Sequence, residues 1–333
     1  FILVGVGMQG LLGAHNEIAI RGTVLHMVNH SLFKLVLFMV AGVIYMNIHK
    51  LDLNDIRGFG RKKPLLKYIY LMAALGIGGI PLWSGYISKT LLHESMVEYM
   101  HELMLSSHSG DVIVSQMMNA FEWIFLISGG MTIAYMTKLY VAVFVEKNED
   151  SAVQEKYDGM KKYMNPVSAG VLTVCAALFP IMGTLPYITM DKMADMSEGF
   201  MGWNHVGHSV DYFTWVNLKG SVISIVIGVV LYFGVIRTLL MKKSESGEKV
   251  YVNRWWKYLD LEDYFYRPVL LRFLPAIASA VCLVIDRLVD GVVVILRKTI
   301  YKDSQIQKER DEGNGITYAL GSLFNRGEAV LNK

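Results

Sequence analysis

The stretch Thr23–Lys50, TVLHMVNHSLFKLVLFMVAGVIYMNIHK, carries three ionisable side chains inside an apolar run long enough to cross a bilayer. At about 1.5 Å of rise per residue, some twenty helical residues span roughly 30 Å of hydrocarbon. His26, His30 and Lys34 recur at i, i+4 and i+8, so they project from one side of a helix among Leu25, Met27, Leu32, Phe33, Leu35 and Phe38. A charge near the bilayer centre costs at least about 2.5 kcal/mol, so such residues face a protein or water-filled interior and carry ions or protons. Histidine titrates near neutrality, and a desolvated lysine is pulled toward it, which together is the equipment of a proton relay.

Plainer readings compete. His26 is equally suited to bonding a neighbouring helix, and Lys34 to snorkelling, although it sits deep in the segment. Two histidines at i, i+4 also match zinc spacing. No third ligand lies nearby in sequence and the Lys34 cation repels a metal, so no metal site is expected.

The whole chain fits a polytopic membrane protein: 53% of its residues are apolar, 18% are charged, and the mean hydropathy is +0.37. A net charge of +3 gives no reason to expect a nucleic-acid partner. Cys175 and Cys282 both lie in apolar runs and read as small hydrophobes, so neither a disulfide nor a redox centre is expected. No catalytic motif or cofactor loop is present in the sequence, and no cofactor is expected. Residues 1–13, FILVGVGMQGLLG, read as the end of a truncated transmembrane helix.

The membrane domain is expected over 14–241, with spans at about 23–48, 68–101, 119–144, 166–187 and 211–241. The span 68–101 is unusual. It is apolar at both ends, but Gly76, Gly78, Gly79, Pro81 and Gly85 interrupt its middle. Backbone groups freed inside a bilayer are tolerated only where protein or water satisfies them. The segment therefore reads as one discontinuous helix broken at Gly78, Gly79, Pro81 and Gly85, with Lys89 opening its second half. A loop between two short spans, with Lys89 at the surface, is the alternative. Lys138, in the span 119–144, and Ser88 are accessory candidates.

Loop charge gives the orientation. Residues 51–67 hold five basic side chains (Arg57, Arg61, Lys62, Lys63, Lys67) and 102–118 hold none. Four follow in 147–163, one in 188–210 and five in 242–263. This alternation makes the basic loops cytoplasmic, and it holds only if 68–101 crosses once. Beyond a linker at 242–267, residues 268–300 carry Arg272, Asp286, Arg287, Asp290 and Arg297. They read as an amphipathic helix on the cytoplasmic face or along the bundle, with a tilted span as the alternative. Residues 301–333 read as a polar, partly disordered tail.

Three motifs, HMVNHSLFKLVLFMVAG (His26–Gly42), RGFGRKKP (Arg57–Pro64) and GIPLWSGYISK (Gly79–Lys89), resemble one family. It comprises the antiporter-like membrane subunits of respiratory complex I, Mrp-type sodium/proton antiporters and membrane-bound hydrogenases. The resemblance covers residues 1 to about 240. It implies an all-α polytopic bundle forming the second half of a core of two inverted repeats, each with a broken helix. It also implies that Lys34 is the second-repeat lysine, that His26 and His30 are its adjacent relay, and that Lys89 is the lysine of the broken helix. Lysine at that last position leans toward the distal pump subunit of complex I (NADH:quinone oxidoreductase). The implied partners are other membrane subunits, a missing N-terminal half with the first half-channel, and the lipid bilayer. The expected activity is proton translocation in a redox-driven pump of a cell membrane. A sodium/proton antiporter subunit and a purely structural subunit are the alternatives.

Overall fold

The computed structural model describes residues 1–13, 16–105, 111–200, 210–243, 249–252, 254 and 260–299. Two units form, Phe1–Asn253 and Arg254–Lys333. The first opens with α1 (Ile2–Leu12) and α2 (Glu17–Ile48). At 32 residues α2 is about 48 Å long, more than a hydrocarbon core requires. It closes at His49, whose left-handed φ of 57° turns its N–H back to the Tyr45 carbonyl.

A short turn, α3 (Leu53–Ile56), leads into α4 (Pro64–Gly78). Pro64 opens α4, where a missing N–H costs nothing. Gly79 ends it at φ 74°, and the chain stays non-helical until α5 (Ser84–Leu105). Leu82 also lies at φ 74° within this interruption, a conformation that costs a branched side chain about 1 kcal/mol or more. The break packs on α8 (Pro166–Thr184): a Cβ added at Gly183 would meet the Trp83 carbonyl carbon at 2.2 Å. A glycine there lets the irregular backbone be covered by protein, as the bilayer demands.

α6 (Asp111–Phe144) starts well before the expected residue 119, because the polar sequence ahead of its apolar core also winds into helix. α7 (Ser151–Gly159) and α9 (Met190–Phe200) occupy segments read as loops. The Asp150 side chain, which accepts from the Ala152 and Val153 N–H groups, supplies the N-cap that starts α7. α10 (Trp215–Leu231) continues through a π-helical turn (Tyr232–Ile236) and α11 (Arg237–Leu239) into a hairpin pairing β1 (Met241–Lys243) with β2 (Lys249–Tyr251).

α2 packs along α5 and α4, α6 along α10, α4 and α5, and α8 against α4 and α5. Phe33 of α2 is buried at the centre, edge-on to Phe179 of α8 at 4.6 Å. Gly76 and Gly85 make room for its ring. Phe38, Trp123, Val171 and Val230 point outward and are exposed, as suits lipid-facing positions.

In the second unit, helix runs from Glu262 through π-helical turns at Glu262–Tyr266 and Val269–Phe273 into α12 (Leu274–Thr299). It begins before the expected residue 268. Pro268 lies inside it, between the two π-helical turns, where irregular hydrogen bonding accommodates its missing N–H. Over Glu262–Thr299 the helix is long and apolar enough to cross a membrane. The tail at 301–333 lies outside the described residues.

Glu17–Ile48, Val112–Phe144, Pro166–Thr184 and Trp215–Leu239 meet the same requirement, while Ile2–Leu12 and Pro64–Gly78 are shorter apolar helices. The chain is an all-α, multi-pass membrane protein.

Candidate functional site

Two helices build the site, α2 from one side and the break between α4 and α5 from the other. The spacing on α2 does what the sequence implies: the His26 and His30 rings lie 5.9 Å apart, centroid to centroid. Ser88 follows the break by four residues and is buried against α2. His26 Nδ1 and Ser88 Oγ share a hydrogen bond of 3.1 Å. Asn29, which the sequence reading passed over, ties the same helices together. Its Nδ2 donates to the Ser84 carbonyl at 2.9 Å and to Ser88 Oγ at 3.3 Å. Its position one turn beyond His26 was the available signal. His26 thus has a serine and an aromatic ring for neighbours, Phe1 lying 5.4 Å away.

Lys89 folds back over the break. Its Nζ donates to the carbonyls of Ile77 and Gly78, both at 3.0 Å. These carbonyls end α4 and have no helical partner, and the negative end of the helix dipole favours a cation there. Ser221 Oγ of α10 donates to the next carbonyl, Gly79, at 3.0 Å. The backbone N–H groups of Gly79 and Ile80 turn back to the Gly76 and Leu75 carbonyls, and these two side chains take the three carbonyls that follow. Glycine matters at this point: a Cβ at Gly85 would lie 1.9 Å from the Gly76 oxygen, and one at Gly79 2.6 Å from Lys89 Cδ. The Phe1 ring lies 4.8 Å from Lys89 Nζ, so one ring touches both Lys89 and His26.

Lys34 is half-buried, with its Nζ 5.8 Å from the Phe38 ring. It sits two turns beyond His26, about 12 Å along α2. The structure groups Lys89 with Ser88 and His26 and leaves Lys34 at the opposite end of the row. Helical spacing orders α2 internally, whereas only the α2–α5 packing decides which residue meets the break. Lys138 does not join this group; its Nζ lies 5.6 Å from the Tyr251 ring, beside the β-hairpin.

Polar atoms without a protein partner cluster here. Asn29 Oδ1 and Ser84 Oγ are buried with no hydrogen bond among the described residues. Such positions are ordinarily satisfied by ordered water. On the other side of Lys89, toward α6 and α10, lies a cavity of about 30 Å³ lined by Gly79, Lys89, Thr90, His93, Gly129 and Ser221. That is room for a water molecule.

These features define a multi-pass helical membrane protein with ionisable residues gathered at a broken helix. Residues 3–115, which contain both α2 and the break, match the family described as NADH:quinone oxidoreductase/Mrp antiporter, transmembrane, and in this part the chain is similar to that antiporter-like family. It is similar to Na(+)/H(+) antiporter subunit A1 of Staphylococcus haemolyticus, 27% identical over 206 residues, covering 60% of this chain and 24% of the relative. Formate hydrogenlyase subunit 3 of Escherichia coli K12 is 25% identical over 150 residues, covering 43% of this chain and 23% of its own length. Hydrogenase-4 component B of the same organism is 26% identical over 148 residues, covering 43% and 21%. The chain therefore spans about a quarter of the length of these relatives.

Proposed function

We propose that this chain is a proton-translocating membrane subunit of a redox-driven ion pump, in which Lys34, His30, His26 and Lys89 hand protons across the bilayer. The observation that carries this reading is the junction at the break. The Ser88–His26 hydrogen bond joins the ionisable row of α2 to the residue preceding Lys89, and Lys89 caps carbonyls that only a broken helix exposes. Each group in the row can take up and release a proton, and the unpartnered polar atoms of Asn29 and Ser84 favour water between them. The driving redox chemistry belongs to partner subunits. The similarity to formate hydrogenlyase and hydrogenase-4 components supports a redox-linked complex of the hydrogenase kind, and the lysine of the broken helix a subunit of the distal complex I kind. The basic loops 51–67, 147–163 and 242–263 are placed on the cytoplasmic side by the positive-inside rule.

A second reading, a subunit of a sodium/proton antiporter, is favoured by the 206-residue similarity to antiporter subunit A1. One experiment addresses both. The parent complex is reconstituted in vesicles, and proton and sodium fluxes are followed with redox turnover for wild type and Lys34→Ala. Proton flux that follows turnover and vanishes in the assembled variant supports the redox pump. Sodium-dependent proton flux without turnover supports the antiporter. Wild-type flux in Lys34→Ala removes the relay from either reading.

A further inference from the structure

Beyond Lys89 the same face of α5 presents His93, one helical turn further on. His93 Nε2 meets Glu122 Oε1 of α6 at 2.8 Å. The two side chains are only 16% and 24% exposed. His93 and Lys89 both line the cavity of about 30 Å³, which has room for a water molecule. The walls there are kept thin: Gly220 of α10 lies against the His93 ring, where a Cβ would be 3.6 Å from Cε1, and Gly129 lies against Ser224. The Phe125 ring lies 6.0 Å from that of His93, centroid to centroid.

We propose that His93 and Glu122 form the exit pair of the pathway, receiving the proton from Lys89 through the cavity and releasing it on the face opposite the basic loops. This rests on the relay reading given above. The direction follows from the helices: α4 leaves the basic loop at Lys63, and α5 continues past the break toward residues 102–118, which carry no basic side chain. Lys34, His30, His26, Lys89 and His93 then advance in one direction across the membrane. The proton balance is simple. Ammonium gives a proton to the cavity water, the imidazole takes it up on one nitrogen, and the other nitrogen's proton passes to the Glu122 carboxylate, which releases it to water. The Glu122 carboxylate, in direct contact with the imidazole, is the acceptor that continues the chain beyond Lys89 and His93. A purely structural ion pair between α5 and α6 makes a different prediction, because Gln at 122 still accepts the His93 hydrogen bond but cannot carry a proton.

The test is proton flux by the intact complex in vesicles for Glu122→Gln, Glu122→Asp and Lys34→Ala, with assembly checked on the same preparations. Expected is a loss of at least about tenfold in Glu122→Gln, with Glu122→Asp within about threefold of wild type. Wild-type flux in Glu122→Gln while Lys34→Ala is inactive overturns the exit pair and leaves the relay reading standing. Wild-type flux in both overturns the two together. Should Glu122→Gln fail to assemble, His93→Gln, which still donates to Glu122, replaces it. The same tenfold loss is then expected, and unchanged flux overturns the proposal.

Discussion

Lys63 and Lys89 sit at opposite ends of α4, and each spends its ammonium on two backbone carbonyls. Lys63 Nζ donates to Phe59 at 2.9 Å and Tyr157 at 2.8 Å; Lys89 Nζ donates to Ile77 and Gly78. Their electrostatic settings are opposite. Lys63 occupies the positive N-terminal end of α4, where the helix dipole repels a cation, whereas Lys89 caps the negative end. Burial pulls the Lys63 amine below its ordinary pKa, and the Asp158 carboxylate pulls it back up. Phe59 lies under its Nζ at 4.2 Å and Tyr163 at 5.6 Å, and Lys63 itself is 1% exposed. Its surroundings are the two carbonyls, the Phe59 and Tyr163 rings and the Asp158 carboxylate near the N-terminal end of α4. Lys89 instead adjoins a water-sized cavity and the Ser88–His26 bond. A buried, carbonyl-bonded lysine is thus not itself a mark of transport. What distinguishes the two is whether the proton has somewhere to go.

The sharpest way to break this contrast is arginine at both positions. Arginine keeps the charge and the donors but does not release its proton. Lys89→Arg is expected to assemble and to lose proton flux by about a hundredfold or more, a hundredfold being the lower end of what one proton-transfer group contributes. Lys63→Arg is expected to leave flux per assembled complex unchanged. Flux in reconstituted vesicles, normalised to complex content, checks both, and equal losses at the two positions would end the distinction. Lys63→Met is expected to act on stability instead. It orphans two buried carbonyls, at about 1–3 kcal/mol each, and should lower thermal stability and the yield of complex while sparing the flux of what assembles.

Gly85→Ala probes the break itself. The added methyl would sit 1.9 Å from the Gly76 oxygen, so the two halves of the helix must part. Overpacking of this kind costs about 1–3 kcal/mol. It also draws Lys89 away from the Ile77 and Gly78 carbonyls, so reduced flux is expected alongside a lower unfolding temperature. Reduced stability with full flux would show that the capping geometry of Lys89 is dispensable.

Much of this site could be read before folding. The i, i+4, i+8 spacing put His26, His30 and Lys34 on one face because a helix fixes that geometry locally. Gly78, Gly79 and Pro81 announced the break for the same reason, since proline and clustered glycine act on the adjacent turn. The pairing of α2 with α5 could not be read this way. That Ser88, rather than Lys89, meets His26 depends on the register between two helices sixty residues apart. Asn29 belongs to the same class, as a polar residue whose role appears only once Ser84 lies opposite it. His93 and Glu122 escaped attention because they sit on separate helices at no recognisable spacing. At the far end of the chain, Asp286, Arg287 and Asp290 read as one side of an amphipathic helix, while length and apolar content over Glu262–Thr299 also meet the requirement for a span, so both readings of this segment stand.

The smallest expected loss of flux falls on Ser88, and it separates two ways a proton could pass from α2 to the break. If the Ser88 hydroxyl carries the proton between His26 and Lys89, Ser88→Ala interrupts the chain and flux drops by about a hundredfold or more. If Ser88 only orients the His26 ring while water carries the proton, the loss is one buried hydrogen bond of about 1 kcal/mol, and flux falls only a few-fold. The second outcome is expected. Ser88 Oγ is already engaged by Asn29 Nδ2 and by the Gly85 carbonyl at 3.3 Å, so reorienting its hydroxyl to pass a proton means giving up bonds that hold the break. Asn29 Oδ1 and Ser84 Oγ, by contrast, are buried and free to hold water beside the ring. Ser88→Thr serves as the check on orientation: it keeps the hydroxyl, and a flux between those of Ala and wild type would assign the serine to positioning His26.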